Sequence, residues 1–308
     1  MSRILCIALN PTVDIASDVD KLVPTRKMRT RNQRQDAGGG GINVARVLAE
    51  LGEHPDLIYF SGGATGNVLE DALKGMSVTL RPVPMSGAVR VAFMVQEIST
   101  GLEYRFVPEG PVISEREVEV MFETLEASTA DYVVASGSLP RGAPTNTYAR
   151  MAQLFLEKGS RFVLDASGEA LKETLSETQV YLVKPSLDEL EYVVGHSLDE
   201  VQVAEAAQMI VRRGAAKYMV VTMGQAGALV ASADKVIKEP ALAVPVRSSV
   251  GAGDSFTGAM VWALTQNYPL DEAFRLGIAA GAAAVTTPGS EFSRQQVFDL
   301  YHSMSTPM

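Results

Sequence analysis

The sequence predicts an α/β protein, a three-layer sandwich with a mainly parallel central sheet, together with a small β-sheet that forms a lid. Two observations lead to this fold class. Short runs of β-branched and aliphatic residues alternate with longer segments in which apolar residues recur every three or four positions, and this alternation is typical of a parallel sheet covered by helices on both faces. Two other segments have no helical period and are predicted to form the lid. We expect residues 1–308 to form a single domain.

The central sheet and its helices are predicted from runs of different length and period. A strand of a buried parallel sheet is a short apolar run, whereas an amphipathic helix is apolar on one side only. The predicted strands are Ile4–Leu9, Asp56–Phe60, Asp131–Ala135, Arg161–Asp165, Val180–Lys184 and Tyr218–Thr222. The clearest predicted helices are Asn43–Leu51, Glu115–Ala127 and Thr147–Lys158.

The predicted lid is discontinuous, with parts at about residues 12–36 and 86–108. In the second part, Arg90–Glu97 and Leu102–Val107 have strand character, and the short segment Ile98–Gly101 between them predicts a hairpin. A flap that projects from an α/β sheet is typical of a cover over a ligand site. The same pattern also fits a solvent-facing β-element or a surface for dimerisation.

The composition narrows the class of protein. Hydrophobic residues make up 46% of the chain and charged residues 20%, as in soluble globular domains, and the net charge of −9 argues against nucleic acid as a partner. Cys6 lies in an apolar run and is predicted to be a buried core residue. The three histidines are scattered and predict no zinc site. We expect neither a signal peptide nor a membrane span, and therefore a cytoplasmic protein.

A glycine-rich turn precedes a helix-like run near the C-terminus, at Val250-Gly-Ala-Gly-Asp254. Its spacing matches neither the P-loop nor the dinucleotide fingerprint, because no Lys follows the glycines and the third glycine of G-x-G-x-x-G is missing. Gly251 and Gly253 permit close approach of the backbone to a ligand, and the N-terminus of the following helix favours an anion. Asp254 has two interpretations, as a helix cap or as a base that accepts a proton from an attacking hydroxyl.

A second glycine cluster, in the segment Asp36–Asn43, also leads into an apolar helix. Four consecutive glycines leave bare main chain, which suits close contact with a ligand. The Asn43 amide can both donate and accept hydrogen bonds, as a polyol requires. A flexible hinge between lid and core is compatible with the same residues.

Basic residues are concentrated in the predicted lid. Residues 21–34 include six Lys and Arg and no acid. Lys27, Arg29 and Arg31 alternate, so that on a strand they would share one face. Converging Arg and Lys side chains bind phosphate well, whereas basic residues on a strand edge can also serve to prevent aggregation.

These motifs, in this order, resemble those of the ribokinase-like carbohydrate kinases, also called the phosphofructokinase-B family. The two most specific motifs are Gly38-Gly39-Gly40-Gly41-Ile42-Asn43 and Val250-Gly251-Ala252-Gly253-Asp254-Ser255-Phe256, and the resemblance covers nearly the whole chain. Further segments resemble the subgroup of minor bacterial 6-phosphofructokinases, 1-phosphofructokinases and tagatose-6-phosphate kinases, namely Ser61–Gly66, Tyr104–Val107, Ser136–Pro140 and Ser167–Leu171. The resemblance implies a ribokinase-like fold and ATP-dependent phosphorylation of a sugar.

The resemblance also implies a role for each matching residue. Asp254 would be the catalytic base, and the amides of Gly251, Ala252 and Gly253 would form the anion hole for the transferred phosphoryl group. The residues expected to bind the sugar phosphate are Asp14, Lys27, Gly39, Gly40, Asn43, Arg90, Arg105 and Ser138. The residues expected to bind the nucleotide are Lys184, Thr222, Gly224, Gly227, Ser248 and Gly281. Glu189 would bind Mg²⁺ through water.

Two positions depart from the family pattern. Ser186 stands where the family commonly has an Asn that serves the water shell of Mg²⁺, three residues before Glu189. The pair Ser248-Ser249 replaces an Asp-Thr pair, which bears on whether a monovalent cation such as K⁺ is bound.

The implied function is ATP- and Mg²⁺-dependent phosphorylation of a ketohexose phosphate, with fructose 6-phosphate as the leading acceptor and fructose 1,6-bisphosphate as the product. Fructose 1-phosphate and tagatose 6-phosphate are alternative acceptors. A non-catalytic sensor of sugar phosphate or nucleotide is the alternative from another class, suggested by Ser186. A nucleoside kinase is a further alternative, which the basic lid disfavours. The family also implies a homodimer formed through the lid.

Overall fold

The computed structural model of the chain describes residues 2–287 and 292–304. In chain order the strands are β1 (Ile4–Ala8), β2 (Thr12–Val19), β3 (Arg31–Gly38), β4 (Asp56–Ser61), β5 (Thr79–Pro84), β6 (Arg90–Glu97), β7 (Leu102–Phe106), β8 (Tyr132–Ser136), β9 (Arg161–Asp165), β10 (Val180–Val183), β11 (Ala216–Thr222), β12 (Ala228–Ala231) and β13 (Val236–Glu239). The helices are α1 (Gly40–Glu50), α2 (Gly63–Leu73), α3 (Glu115–Glu126), α4 (Thr147–Glu157), α5 (Gly168–Glu177), α6 (Leu187–Val194), α7 (Glu200–Arg212), α8 (Ala252–Thr265), α9 (Leu270–Val285) and α10 (Arg294–Met304).

The central sheet has the strand order β13-β12-β11-β10-β9-β8-β1-β4-β5. The strands from β11 to β5 pair in parallel, and β12 and β13 add an antiparallel hairpin at one edge. Helices α1, α8, α9 and α10 pack together in one layer, and α4 to α7 pack in another. All residues of β1 and β8 are buried, because helices cover both faces at the centre of the sheet. The predicted three-layer α/β sandwich is confirmed.

A second sheet, in the order β3-β2-β6-β7, forms from the two segments predicted as the lid. β2 pairs in parallel with β6, and the other two pairs are antiparallel. Side chains alternate between the faces of a sheet. The register therefore puts Asp14, Met94 and Arg105 on one face and Phe93 and Phe106 on the other. The lid thus has one face with charged residues and one apolar face.

One part of the lid prediction is wrong. Lys27 and Arg29 do not lie on a strand with Arg31, because β3 begins only at Arg31. The chain between β2 and β3 is an exposed loop, in which Thr25 after Pro24 has a φ of 62°. A positive φ turns the chain and ends extended pairing, so the three basic residues do not share a strand face.

The predicted strands and helices of the central part are confirmed, with ends displaced by a few residues. Cys6 is fully buried on β1, as predicted. Strand β5 and the short hairpin β12–β13 were not predicted from the sequence. β5 contains Pro82 and Pro84, which are tolerated because it is an edge strand. None of the helices in the described ranges is long and apolar enough to cross a membrane.

Candidate active site

The candidate site lies where several strands of the central sheet end. The carboxyl ends of parallel strands lie at one edge of a sheet, where α/β proteins commonly bind ligands. β8 ends at Ser136, β9 ends at Asp165, and Lys184 follows β10 directly. The N-terminal turns of α1 and α8 bring Asn43 and Asp254 to the same edge. Five distant parts of the chain thus form one polar cluster.

Asp254 is not the cap of α8. The N-cap is Gly251, whose φ of 70° lies in the left-handed region, and the helix begins at Ala252. The Asp254 carboxylate instead accepts hydrogen bonds from Asn43 Nδ2 at 2.8 Å and from Ser136 Oγ at 3.1 Å. The capping interpretation of this residue is therefore wrong, and its carboxylate belongs to the polar cluster.

The surroundings of Asp254 change its acidity. Burial and the nearby charge of Asp165 raise its pKa. The hydrogen bonds from Asn43 and Ser136 and the charge of Lys184 act in the opposite direction, and the pKa is raised from 3.8 to about 6. A carboxylate with this pKa is ionised at neutral pH and is a stronger base than an ordinary Asp. It is suited to accept a proton from a hydroxyl group.

Lys184 is a buried cation beside the first turn of α8. Its Nζ lies 3.1 Å from Asp165 Oδ2. Burial disfavours the charged lysine and is the largest single effect, but the attractions of Asp165, Asp254 and Glu189 together outweigh it and raise the pKa. A Cβ on Gly253 would lie 3.3 Å from Lys184 Nζ. Glycine therefore leaves the ammonium group close to the free amides of the helix N-terminus, and together these groups attract an anion.

Sequence reasoning missed the part that Asp165 plays in this cluster. Besides its ion pair with Lys184, its carboxylate accepts a hydrogen bond from Thr257 Oγ1 at 3.0 Å. Ser136 was likewise noted only as part of a family motif. The signal for both was available, because each polar side chain stands at the carboxyl end of a predicted buried strand.

The glycine cluster that connects β3 to α1 is packed tightly. A Cβ on Gly38 would lie 1.9 Å from Asp14 Oδ2, and a Cβ on Gly40 would lie 2.2 Å from Ser136 Oγ. Gly39 has a φ of 109°, which side chains rarely permit. Close packing at Gly38 and Gly40 and the positive φ of Gly39 account for these glycines.

Asp14 lies on the charged face of the lid, close to three arginines. Burial raises the pKa of its carboxyl group, while a hydrogen bond with Thr12 and the charges of Arg105, Arg46 and Arg90 lower it, and the net shift is upward. The predicted polyol ligand Asp14 and two of the predicted phosphate ligands, Arg90 and Arg105, are therefore brought together.

Arg90 and Ser138 lie together and are joined by Asn10. The Arg90 guanidinium donates to Pro108 O at 2.9 Å and to Asn10 O at 2.8 Å, and Asn10 Nδ2 donates to Ser138 Oγ at 3.1 Å. Across the described residues, Arg90 Nε and Asn10 Oδ1 are two of the few buried side-chain atoms that lack a hydrogen-bond partner. Both atoms are covered by protein, so the feature that bears on a ligand here is the positive charge of Arg90 close to Ser138.

Lys27 is not part of this cluster. It lies on the exposed loop between β2 and β3, and no hydrogen bond or ion pair of its side chain is found among the described residues. Arg105 is also exposed, although its charge reaches Asp14. The predicted role of Lys27 in phosphate binding remains a prediction.

A cavity of about 460 Å³ adjoins the first turn of α8. The predicted nucleotide ligands Thr222, Gly224 and Gly227 line it from the turn after β11, and Gly281 lines it from α9. Most of the remaining wall is apolar and includes Phe256. A cavity of this size and composition is typical of a site for a small organic molecule, and here it lies next to the anion-attracting helix terminus.

Ser248 lies outside this cavity, although it was predicted at the nucleotide. Its hydroxyl accepts a hydrogen bond from Val250 N–H at 3.2 Å and donates to Glu103 Oε1 of the lid at 3.4 Å. It lines a second cavity of about 500 Å³ between the charged face of the lid and the loop before α8. Ser248 therefore connects these two parts of the chain.

Ser186, at which the sequence departs from the family pattern, has a structural role at the start of α6. Ser186 is the N-cap of α6: Glu189 N–H donates to Ser186 Oγ at 3.3 Å, and Ser186 N–H donates to Glu189 Oε2 at 2.7 Å. These reciprocal bonds form a capping box. The negative charge of Glu189 also contributes to the raised pKa of Lys184, so Glu189 lies near the polar cluster.

Comparison with known proteins identifies the family of the chain. The family model described as pfkB family carbohydrate kinase matches residues 1–296. An ATP-dependent 6-phosphofructokinase isozyme 2 from Mycobacterium tuberculosis is 38% identical over 94% of this chain and 85% of its own length. The isozyme 2 from Escherichia coli is 37% identical over 94% of both chains, and a 1-phosphofructokinase from Bacillus subtilis is 30% identical over 91% of both.

Comparison with solved structures leads to the same group of enzymes. Phosphofructokinase-2 from Escherichia coli in complex with potassium is similar with a TM-score of 0.95 and 35% identity, over 99% of this chain and all of that one. A tetrameric inhibited form of the same enzyme gives a TM-score of 0.94 at the same identity and coverage. The chain therefore belongs to the pfkB family of carbohydrate kinases.

Proposed function

We propose that this protein is an ATP-dependent kinase of a ketohexose phosphate, and that its leading reaction converts fructose 6-phosphate to fructose 1,6-bisphosphate in glycolysis. The observation that carries the proposal is the position of Asp254. The pKa of its carboxyl group is raised to about 6. Asp254 directly follows Gly253, which lines the 460 Å³ cavity. Its carboxylate accepts a hydrogen bond from Ser136, two residues before Ser138 of the predicted sugar-phosphate site. The names of the relatives at 37% and 38% identity support the same reaction.

The proposed mechanism is an in-line attack of a sugar hydroxyl on the γ-phosphorus of ATP. Asp254 accepts the hydroxyl proton as the new O–P bond forms, and the bond between the γ-phosphorus and the bridging oxygen breaks to release ADP. The amides of Gly251, Ala252 and Gly253, together with Lys184, stabilise the charge on the transferred group. The lid excludes water, which suppresses hydrolysis of ATP.

The residues near Lys184 fit a role for Mg²⁺. Among the described residues no group of three or more His, Cys, Asp and Glu side chains could hold a metal ion. Mg²⁺, however, commonly uses one or two carboxylates, waters and the substrate phosphates. We propose that Glu189 holds it through water, where it would supply further neutralisation of phosphate charge. We propose K⁺ as a second cation because of the Escherichia coli relative.

The acceptor is proposed to be anionic. The charges of Arg90 and Arg105 both act on Asp14, and Asn10 joins Arg90 to Ser138. A phosphate group would pair with these arginines, whereas a neutral nucleoside would not. Fructose 1-phosphate and tagatose 6-phosphate carry the same charge and remain alternatives.

We further propose that the enzyme acts in the cytoplasm and forms a homodimer through the apolar face of the lid. Phe93 and Phe106 are cross-strand neighbours on that face, and they are 49% and 57% exposed. Large exposed apolar groups that lie together are typical of protein interfaces. The Escherichia coli relative has a tetrameric inhibited form.

The test is ADP release from MgATP with a panel of acceptors, in K⁺ and in Na⁺ buffer. The panel includes fructose 6-phosphate, fructose 1-phosphate, tagatose 6-phosphate, fructose, ribose and adenosine. Turnover with fructose 6-phosphate is expected, and turnover with another ketohexose phosphate would correct the acceptor but keep the reaction. Turnover with neutral acceptors alone would overturn the proposal, and binding without turnover would favour a sensor.

Two variants test whether Arg90 binds the phosphate group of the acceptor. Arg90→Ala is expected to raise the KM of the phosphorylated acceptor at least about tenfold, since it removes a charged hydrogen-bond donor, and to leave the KM of ATP nearly unchanged. Arg81→Ala, which removes an exposed partner of Asp56, is the matched control. An unchanged KM in Arg90→Ala would show that the acceptor phosphate binds elsewhere.

A further inference from the structure

The side-chain amide of Asn43 is held from both ends. Its Nδ2 donates to Asp254 Oδ2 at 2.8 Å, and its Oδ1 accepts a hydrogen bond from Arg46 Nη1 at 2.8 Å. Arg46 lies three residues further along α1, on the same side of the helix. A guanidinium group has donors only. It therefore fixes which end of the amide is the oxygen, and the N–H group must point to the carboxylate.

Arg46 is itself anchored away from the substrate. Its second terminal nitrogen donates to the backbone oxygen of Ala37, near the end of β3. Its charge also lowers the pKa of Asp14, against the larger effect of burial. A side chain held by neighbouring backbone keeps its position whether or not substrate is bound, so it can orient Asn43 in advance of binding.

The other groups that face Asp254 do not replace this contact. Asp165 on β9 repels the charged carboxylate, and Lys184 after β10 attracts it. Because Asp165 and Lys184 form an ion pair, their effects partly cancel. The direct hydrogen bonds from Asn43 and from Ser136 on β8 then hold the carboxylate. A rotated Asn43 amide would place two acceptor oxygens against each other, which disfavours the ionised form.

We infer that Arg46 is a positioning residue of this active site, which acts through Asn43 to keep the Asp254 carboxylate aligned and ionised. The inference rests on the proposed kinase function for the role of Asp254 as base. Arg46 itself makes no contact with the substrate in this proposal. Replacement of Arg46 should therefore change kcat and the pH dependence of kcat, and should change KM only weakly.

The test compares Arg46→Met, Arg46→Lys, Asn43→Ala and the double variant Arg46→Met/Asn43→Ala. The first measurement is the pH dependence of kcat. The second is the titration of the Asp254 carboxyl carbon by NMR, assigned with the Asp254→Asn variant. Arg81→Met, which removes an exposed arginine that pairs with Asp56, is the control for loss of one positive charge.

For Arg46→Met we expect the acid limb of kcat and the Asp254 titration to move upward together, by about one pH unit, as for loss of one favourable hydrogen bond to a carboxylate. Arg46→Lys should shift less. The double variant should titrate like Asn43→Ala alone, because Arg46 acts through that amide. Arg81→Met should not shift.

Two results would overturn the inference. One is a lower kcat in Arg46→Met with an unmoved acid limb and an unmoved Asp254 titration. The other is a double variant that shifts by the sum of the two single shifts, since independent sites add. If Arg46→Met does not fold, Arg46→Lys decides by the same criteria. If the wild-type protein phosphorylates no sugar, the proposed function fails, while the NMR titration still tests the connection from Arg46 to Asp254.

Discussion

Asp254 combines two properties that oppose each other, burial and charge. Its pKa is raised from 3.8 to about 6, so the folded protein holds a proton on this group in the pH range where the unfolded chain has released it. Between about pH 4 and pH 6 the folded state therefore loses stability as the pH rises, and the loss persists at neutral pH. The charged carboxylate of Asp254, the proposed base, therefore lowers the stability of the folded protein.

Asp254→Asn should separate these two properties. The amide is isosteric: its oxygen can still accept from Asn43 Nδ2, and its NH2 group can donate to Ser136 Oγ, which reverses that bond, but the amide cannot accept the proton. We expect kcat to fall by about 10²–10⁴-fold, with the dissociation constants of ATP and sugar phosphate little changed. We also expect the thermal midpoint at pH 7 to rise, as measured by calorimetry. Asp71→Asn, at an exposed site on α2, is the control.

An Asp254→Asn variant with undiminished turnover would exclude this residue as the base. A thermal midpoint below that of the wild type would contradict the direction of the pKa shift.

Site residues that belong to a distinctive sequence motif could be predicted from the sequence. Site residues that are recognisable only from their place in the folded sheet could not. The glycine motifs led to Gly40, Asn43 and Asp254, because few other structures explain such glycine runs. Asp165 looks like an ordinary strand residue until the sheet order places it beside Lys184. Lys27 has the right charge, yet the loop that carries it is exposed.

At the scale of elements, the lid hairpin is organised around the carboxylate of Glu97. Although Glu97 is only 4% exposed, it accepts hydrogen bonds from Leu22 N–H, Ser99 Oγ, Thr100 Oγ1 and Tyr104 Oη. Burial opposes its charge, but these four bonds outweigh burial and lower its pKa. The carboxylate thus joins the hairpin to the start of the loop between β2 and β3.

Glu97→Leu should loosen the lid without unfolding the central sheet. Because the donors lose their acceptor while partly buried, we expect faster hydrogen exchange in peptides that cover residues 20–30 and 90–107, with unchanged exchange in β8 and β9. Hydrogen exchange followed by mass spectrometry measures this directly. Glu119→Leu on the exposed side of α3 is the control.

In the wild type, the protection of residues 20–30 and 90–107 against hydrogen exchange should depend on pH. The folded pKa of Glu97 lies below its ordinary value of 4.5. Its contribution is therefore complete above about pH 4.5 and is lost as the pH falls through the folded pKa. If residues 20–30 and 90–107 exchange as slowly in Glu97→Leu as in the wild type, contacts other than those of Glu97 hold the lid.

Which elements could be predicted follows from their burial. β1, β8 and β9 are apolar runs because helices cover both of their faces, and they were readily identified. β5 is exposed at the sheet edge and contains two prolines, and β12 and β13 have four residues each. Their pairing is set by tertiary contacts that no local period reveals.

At the scale of the whole molecule, the apolar face of the lid, which carries Phe93 and Phe106, is left exposed by the rest of the described chain. Phe106→Ser should therefore weaken self-association through this face. We expect the sedimentation coefficient at micromolar concentration to fall toward that of the monomer, with the melting temperature nearly unchanged, because the side chain is already 57% exposed in one chain.

Met209→Ser on α7, at a methionine that is 60% exposed outside the lid, is the matched control. If Phe106→Ser and the wild type sediment alike as an oligomer, the subunits associate through another surface.

The hydrogen bond between Asn43 and Asp254 joins residues that are 211 positions apart, and the one between Ser136 and Asp254 joins residues 118 apart. Contacts of such separation form late in folding, after the local elements exist. During synthesis on the ribosome, Asn43 and Ser136 therefore emerge long before α8 brings Asp254. The polar cluster, and with it the proposed transfer of phosphate from ATP, is complete only after α8 has been made and packed.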